Sequence, residues 1–116
     1  MKNFMLIFIG EDYTDLNFSP EEMQRRMNKW QEWTGQLMQS GIFVDGQGLL
    51  KNAKTLKTGP EDIHDGPFLD VKETVGGYYV IKAENMDAAV EVAKKFPDFD
   101  LGSSVEVREC MPSEEG

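Results

Sequence analysis

Cysteine and histidine each occur once in these 116 residues, at Cys110 and His64. A lone thiol excludes an internal disulfide and fits a reducing compartment, so a cytoplasmic location is expected. One histidine and one cysteine among scattered carboxylates give none of the spacings that hold a metal, and neither a metal nor another cofactor is expected. Basic residues are scarce too: 12 Lys and Arg stand against 21 Asp and Glu, for a formal net charge of −9. A surface of that sign repels phosphate backbones and anionic lipid, which argues against nucleic acid or membrane as partners. No apolar run approaches the ~20 residues of a membrane-spanning helix. Residues 1–10 are too short, and acidic residues follow too soon, for a signal peptide. Nucleophile triads and dinucleotide fingerprints are missing, and Gly46-Gln47-Gly48 lacks the third glycine and the helix opening of a phosphate loop.

The chain carries 40% hydrophobic and 28% charged residues, ordinary values for one soluble domain. That domain is expected to span residues 1–111, with 112–116 a loose acidic tail. Phe4-Met5-Leu6-Ile7-Phe8-Ile9 is apolar on both alternating faces, the mark of a strand sheltered on two sides. Ser19-Pro20-Glu21-Glu22 starts a helix, with Ser at the N-cap, Pro at the first turn and Glu three residues after the cap. Met23, Met27, Trp30, Thr34, Leu37 and Met38 recur at helical spacing, while Glu22, Arg25, Arg26, Lys29 and Glu32 take the polar side. Gly41 should end that helix near Ser40.

Ile42-Phe43-Val44 begins a second strand, broken at Asp45-Gly46-Gln47-Gly48, where the two glycines mark a bulge or a close approach to the backbone. Residues 53–58 and 63–64 complete a small meander. Residues 77–83 form a further strand, rich in aromatic and β-branched residues. Asn85 caps a helix over 86–96 with Ala88, Ala89, Val92, Ala93 and Phe96 inward, ended by Pro97. Residues 105–110 alternate as a last strand, with Val105 and Val107 inward. The expected order is a ferredoxin-like βαββαβ α+β fold with an antiparallel sheet. Two helices cover one face of such a sheet, so a second copy of the chain is expected on the other, giving a homodimer.

The densest chemistry lies over residues 63–82. Asp65-Gly66-Pro67 is a turn: Gly66 tolerates unusual angles, Pro67 fixes φ, and Asp65 can bond a backbone N–H two residues on, presenting Phe68. Histidine is the side-chain type whose unperturbed pKa lies between pH 5 and 8, but on a strand His64 and Asp65 point to opposite faces, which weakens a dyad. Lys72 can anchor an anion and Glu73 act as a base if desolvated, or the two can form a surface ion pair. Tyr78 and Tyr79 face opposite ways, one core and one able to offer a hydroxyl to a ligand. Arg108 needs a carboxylate partner such as Glu73 or Asp65 if a second copy buries it. Cys110 has no histidine near it in sequence and reads as a buried, inert thiol.

The succession Asp65-Gly66-Pro67-Phe68, Lys72-Glu73, Gly76-Gly77-Tyr78-Tyr79, the helix ending at Pro97 and Glu106-Val107-Arg108 resembles the DGPF group of YCII-related proteins. The Pro-Glu-Glu helix start, Gly41 and the Gly-x-Gly-Leu at 46–49 fit as well. The resemblance covers most of residues 1–111 and implies a dimeric α+β barrel with a polar pocket of suspected enzymatic use. Better-known relatives carry a histidine on the first long helix that is proposed to pair with an aspartate; this chain has Asn28 and Trp30 in mid-helix instead. After Phe68 it continues Leu69-Asp70-Val71, where the family has a small residue, Glu and Thr. That acid–base pair therefore does not transfer, and His64 with Asp65 is the local substitute. Three functions follow as expectations. The first is a small-molecule site near the turn, with His64 and Asp65 catalytic by acid–base chemistry and Lys72, Glu73, Tyr79 and Arg108 binding. The second is a non-enzymatic dimeric binding module. The third is a cofactor-free monooxygenase-like barrel, from fold analogy alone.

Overall fold

The computed structural model describes residues 1–66 and 73–112. Within them the chain runs β1 (Lys2–Gly10), α1 (Tyr13–Leu16), α2 (Pro20–Gln39), β2 (Phe43–Gly48), β3 (Lys54–Leu56), β4 (Ile63–Asp65), β5 (Thr74–Ala83), α3 (Met86–Ala93) and β6 (Ser104–Glu109). Four strands form one sheet in the order β2-β5-β1-β6, each pairing antiparallel, which is the ferredoxin-like α+β order. Strands β3 and β4 stand apart as a two-stranded hairpin. The anticipated meander is thus divided: β2 joins the sheet and the hairpin does not.

Central strand β1 organises the packing. Phe4, Leu6 and Phe8 point to one face and are buried, and Ile81 and Ala83 of β5 lie on the same face by register. Trp33 and Leu37 of α2 and Ala89 and Ala93 of α3 complete this core with Phe96. The opposite face carries Met5 and Ile7, opposed by Val80 and Tyr78 on β5 and by Arg108 and Glu106 on β6. The molecule is only 19 Å thick along its shortest axis. That is the depth of one sheet and one helix layer, since layers pack about 10 Å apart.

Local sequence explains the boundaries of α2. The Ser19 hydroxyl accepts from the Glu22 N–H, Pro20 occupies the first turn, and Gly41 at φ 76° carries the chain out through the left-handed region. Its buried stripe differs from the hydrophobicity pattern. Arg26, Trp33 and Leu37 are buried, whereas Met27 and Met38 are exposed, because Arg26 finds carboxylate partners inside. Strand β2 is not broken at Asp45. Val44 is an extra residue between Phe43 and Asp45 in the β5 register, so the pairing continues through a bulge. Helix α3 ends at Ala93, short of Phe96, which a following turn carries into the core. No described helix is long and apolar enough to cross a membrane.

Leu6 is fully buried at the centre of this layer. Leu6→Ala should lower the unfolding free energy by about 3 kcal/mol, the usual cost of a Leu-to-Ala cavity. Denaturant midpoints read this; a loss under ~1 kcal/mol would mean that the core does not close on β1 as described.

Candidate functional site

A cavity of about 320 Å³ opens between the end of β1, the end of β2, the start of β5 and the Met27–Trp30 turn of α2. This is the small end of ligand-site sizes, the volume of about ten waters in the liquid. Rings dominate its lining: Phe8, Tyr13, Trp30, Tyr79 and Phe96, with Met27 beside them. Phe8 is their hub. Its ring meets Trp30 and Tyr79 edge-on, each at 5.1 Å between centroids, and stacks on Phe96 at 5.3 Å. Such geometries add about 0.5–1.5 kcal/mol per pair beyond burial and hold the rings in place.

Glycine makes the space. Gly10, Gly48, Gly76 and Gly77 all line the cavity. Gly76 is the unpaired residue of a bulge, since Phe8 opposes Gly77 while Ile9 opposes Val75. Gly77 has φ 157°, and a Cβ there would lie 2.6 Å from the Gln47 carbonyl oxygen, so no other residue fits. Nearby, Gly46 lets the Tyr79 ring lie over the backbone, where a Cβ would come within 2.4 Å of it.

One end of the cavity is closed by a buried polar network. Asp98, 5% exposed, accepts from the Tyr13 hydroxyl on both carboxylate oxygens, at 2.8 and 2.7 Å. Trp30 Nε1–H lies 3.1 Å from the Tyr13 oxygen and 3.3 Å from Asp98 Oδ2. Arg26, 4% exposed, donates Nη1–H to Asp98 at 3.3 Å and binds Asp100 through Nη1 and Nη2 at 3.2 and 2.7 Å. Its Nε lies 3.0 Å from Glu22 Oε1, an ion-pair contact without hydrogen-bond alignment. The guanidinium also sits 4.9 Å from the centre of the Phe18 ring. By contrast, Trp33 Nε1 is buried with no hydrogen-bond partner among the described residues.

These contacts shift the titrations. Burial first, then the bond to Asp98, push the Tyr13 phenol well above its ordinary 10.0. The hydrogen bonds from Arg26 hold Asp100 below the usual carboxylate range and raise Arg26 in turn. Asp12, in the cavity lining, is lowered chiefly by the hydroxyl and backbone N–H of Thr14.

The residues singled out from sequence are dispersed. Tyr79 lines the cavity, and its hydroxyl lies 2.6 Å from Thr34 Oγ1. Glu73 is exposed just before β5, one residue from Thr74 of the lining. Arg108 is on the open sheet face with Nε 4.0 Å from Glu106. His64 and Asp65 are exposed on β4, outside the cavity lining: His64 Nε2 contacts Asp62 at 2.8 Å, and Asp65 pairs with Lys54. They use different partners, as alternation along a strand requires. Gly66 has φ 86° and its N–H bonds the Ala53 carbonyl oxygen at 2.8 Å. Pro67, Phe68 and Lys72 lie outside the described residues. Among the described residues no cluster of three or more His, Cys, Asp or Glu could hold a metal ion. Sequence reasoning missed Tyr13, Arg26 and Asp98. The available signal was spacing: Arg26 stands four residues before Trp30 and seven before Trp33, which places it beside them rather than on the polar side of α2, and an aspartate directly follows the terminating Pro97.

Tyr13 gives a pH test. A phenol whose folded pKa is raised contributes stability that is whole below pH 10 and is lost as pH climbs toward the folded value. Tyr13→Phe should cost about 2 kcal/mol at neutral pH through the lost bond to a charged carboxylate. The gap from wild type should narrow above pH 10 in denaturant titrations. Parallel curves would remove the network from the titration.

No functionally curated protein matches the chain at a significant level. A family model does: that of the YCII-related domain aligns with residues 4–112, from the first buried residue of β1 to the end of the described chain. The chain belongs to the YCII-related domain family.

Proposed function

We propose that the protein holds a small organic molecule in the aromatic cavity and does so as a homodimer. The observation that carries the binding reading is the lining: five rings around about 320 Å³, fixed at one end by the Asp98 network and vacated by glycine at the other. Mostly apolar walls with a few placed polar groups are what small-molecule sites have in common. Capture is favoured over acid–base turnover by the described lining. A general acid or base works best with a pKa near the operating pH. Here Tyr13 is pushed up and Asp12 down, both away from neutrality.

The binding test uses Gly48. It lines the cavity, and a Cβ there meets nothing within 4 Å, so Gly48→Phe fills space without strain. A compound found by thermal-shift screening should stabilise the wild type, by about 2.7 kcal/mol at a hundredfold excess over Kd, and lose its effect in the variant. Equal shifts in both proteins would move the site elsewhere.

The dimer reading rests on the open sheet face. Met5, Ile7, Tyr78 and Val80 form an apolar strip that is only half-buried, while α2 and α3 pack on the other side. A matching face from a second copy would shelter it, with the same patch used by both partners. Ile7→Lys should turn a sedimenting dimer into a folded monomer. A wild type that sediments as a monomer at tens of micromolar would sink this reading.

A further inference from the structure

We infer that the cavity selects organic cations of the arylalkylammonium class over neutral and anionic molecules of the same shape. This rests on the reading that the cavity binds a small molecule, and it follows from counting protons and charges around it.

The fixed side-chain donors of the lining are already spent inside the protein. The Trp30 N–H goes to Tyr13 and Asp98, and the Tyr13 proton goes to Asp98. Thr34 Oγ1 donates its single proton to the Trp30 carbonyl oxygen at 2.8 Å. The 2.6 Å contact between Thr34 and Tyr79 therefore has the Tyr79 hydroxyl donating. Each of these groups can still accept or present a π face, and none has a proton left for an incoming anion. Gln47, Thr74 and Ser103 of the lining can turn to either role.

The charges point the same way. Glu11 and Asp12 line the cavity, and no Lys, Arg or His does among the described residues. Two cations beside it among the described residues are engaged: Arg26 by Glu22, Asp98 and Asp100, and Lys51 by Asp15 at 2.8 Å. A carboxylate or phosphate entering here would lose its water, meet two like charges and find no fixed side-chain donor. An ammonium group would meet those carboxylates and the electron-rich faces of Trp30, Tyr79 or Phe8, an attraction that grows as the cation is desolvated. The net charge of −9 would draw such a molecule in from solution.

Benzylammonium, benzyl alcohol and benzoate share a ring and differ in charge, and the two tryptophans give two indole N–H signals for NMR titration. Benzylammonium should move the Trp30 indole signal and bind about tenfold tighter than benzyl alcohol, the effect of a partly desolvated cation–π contact. Benzoate should leave that signal unmoved, Glu11→Gln should weaken benzylammonium several-fold, and Gly48→Phe should abolish its binding. Equal affinity for the alcohol, or preference for benzoate, would overturn the charge selection while leaving a working cavity. Binding that persists in Gly48→Phe would place the cation on the acidic surface and overturn it as well. If none of the three moves the indole at millimolar concentration, cavity binding and charge selection both fall.

Discussion

A buried carboxylate is the constraint on which the rest of this structure turns. Asp98 is almost wholly removed from water, and a bare charge in that position would cost several kcal/mol. It is tolerated because Tyr13, Trp30 and Arg26 all aim donors at it. Those partners come from the segment after β1, from two turns of α2, and meet Asp98 just beyond Pro97. Meeting one carboxylate therefore fixes three parts of the chain against each other. Removing Arg26 would leave the carboxylate unmatched, the situation in which buried pairs cost about 3–5 kcal/mol. The same bonds set the direction of every proton on that wall of the cavity.

Beside this polar end, the rings of Phe8, Trp30, Tyr79 and Phe96 touch one another edge-on or stacked, and none can turn without disturbing two others. Trp30 belongs to both systems, its ring in the cluster and its N–H in the network. An amphipathic side chain at such a boundary ties apolar packing to hydrogen-bond geometry. A shift of α2 along the sheet would disrupt both at once. The cavity wall is therefore stiffer than an exposed position on a helix would imply.

Much of the frame was legible in the sequence because it is local. The Ser19, Pro20 and Glu22 start of α2, the Gly41 exit, the doubly apolar β1 and the Asn85 cap each depend on residues within a few positions. The glycines at 46 and 48 suggest a bulge or a close approach, but the bulge falls at Val44 and only Gly46 is closely approached, by the Tyr79 ring. The candidate site was less legible because its contacts are distant: Tyr13 and Asp98 are 85 residues apart, and Arg26 and Asp98 are 72. Helical spacing sets Arg26 beside Trp30 and Trp33, but it does not point to the aspartate, 72 residues on, that receives the charge. The density of His64, Asp65 and Glu73 drew attention to one stretch, yet His64 and Asp65 point outward from a hairpin while milder side chains surround the cavity.

The glycines of the lining separate what the fold demands from what it merely permits. Gly10 and Gly77 are compelled: a Cβ at either would drive into Ser103 or the Gln47 carbonyl. Gly48 and Gly76 are under no such pressure, since neither has a positive φ and a Cβ at each would meet at most a van der Waals neighbour. Glycine in a strand gives up backbone entropy and side-chain packing, roughly 0.5–1 kcal/mol against alanine. Folding alone would favour a larger residue at both positions. Their presence in the lining of an aromatic cavity is accounted for if the open volume itself is what the protein uses, with stability given up for that space as at other functional sites.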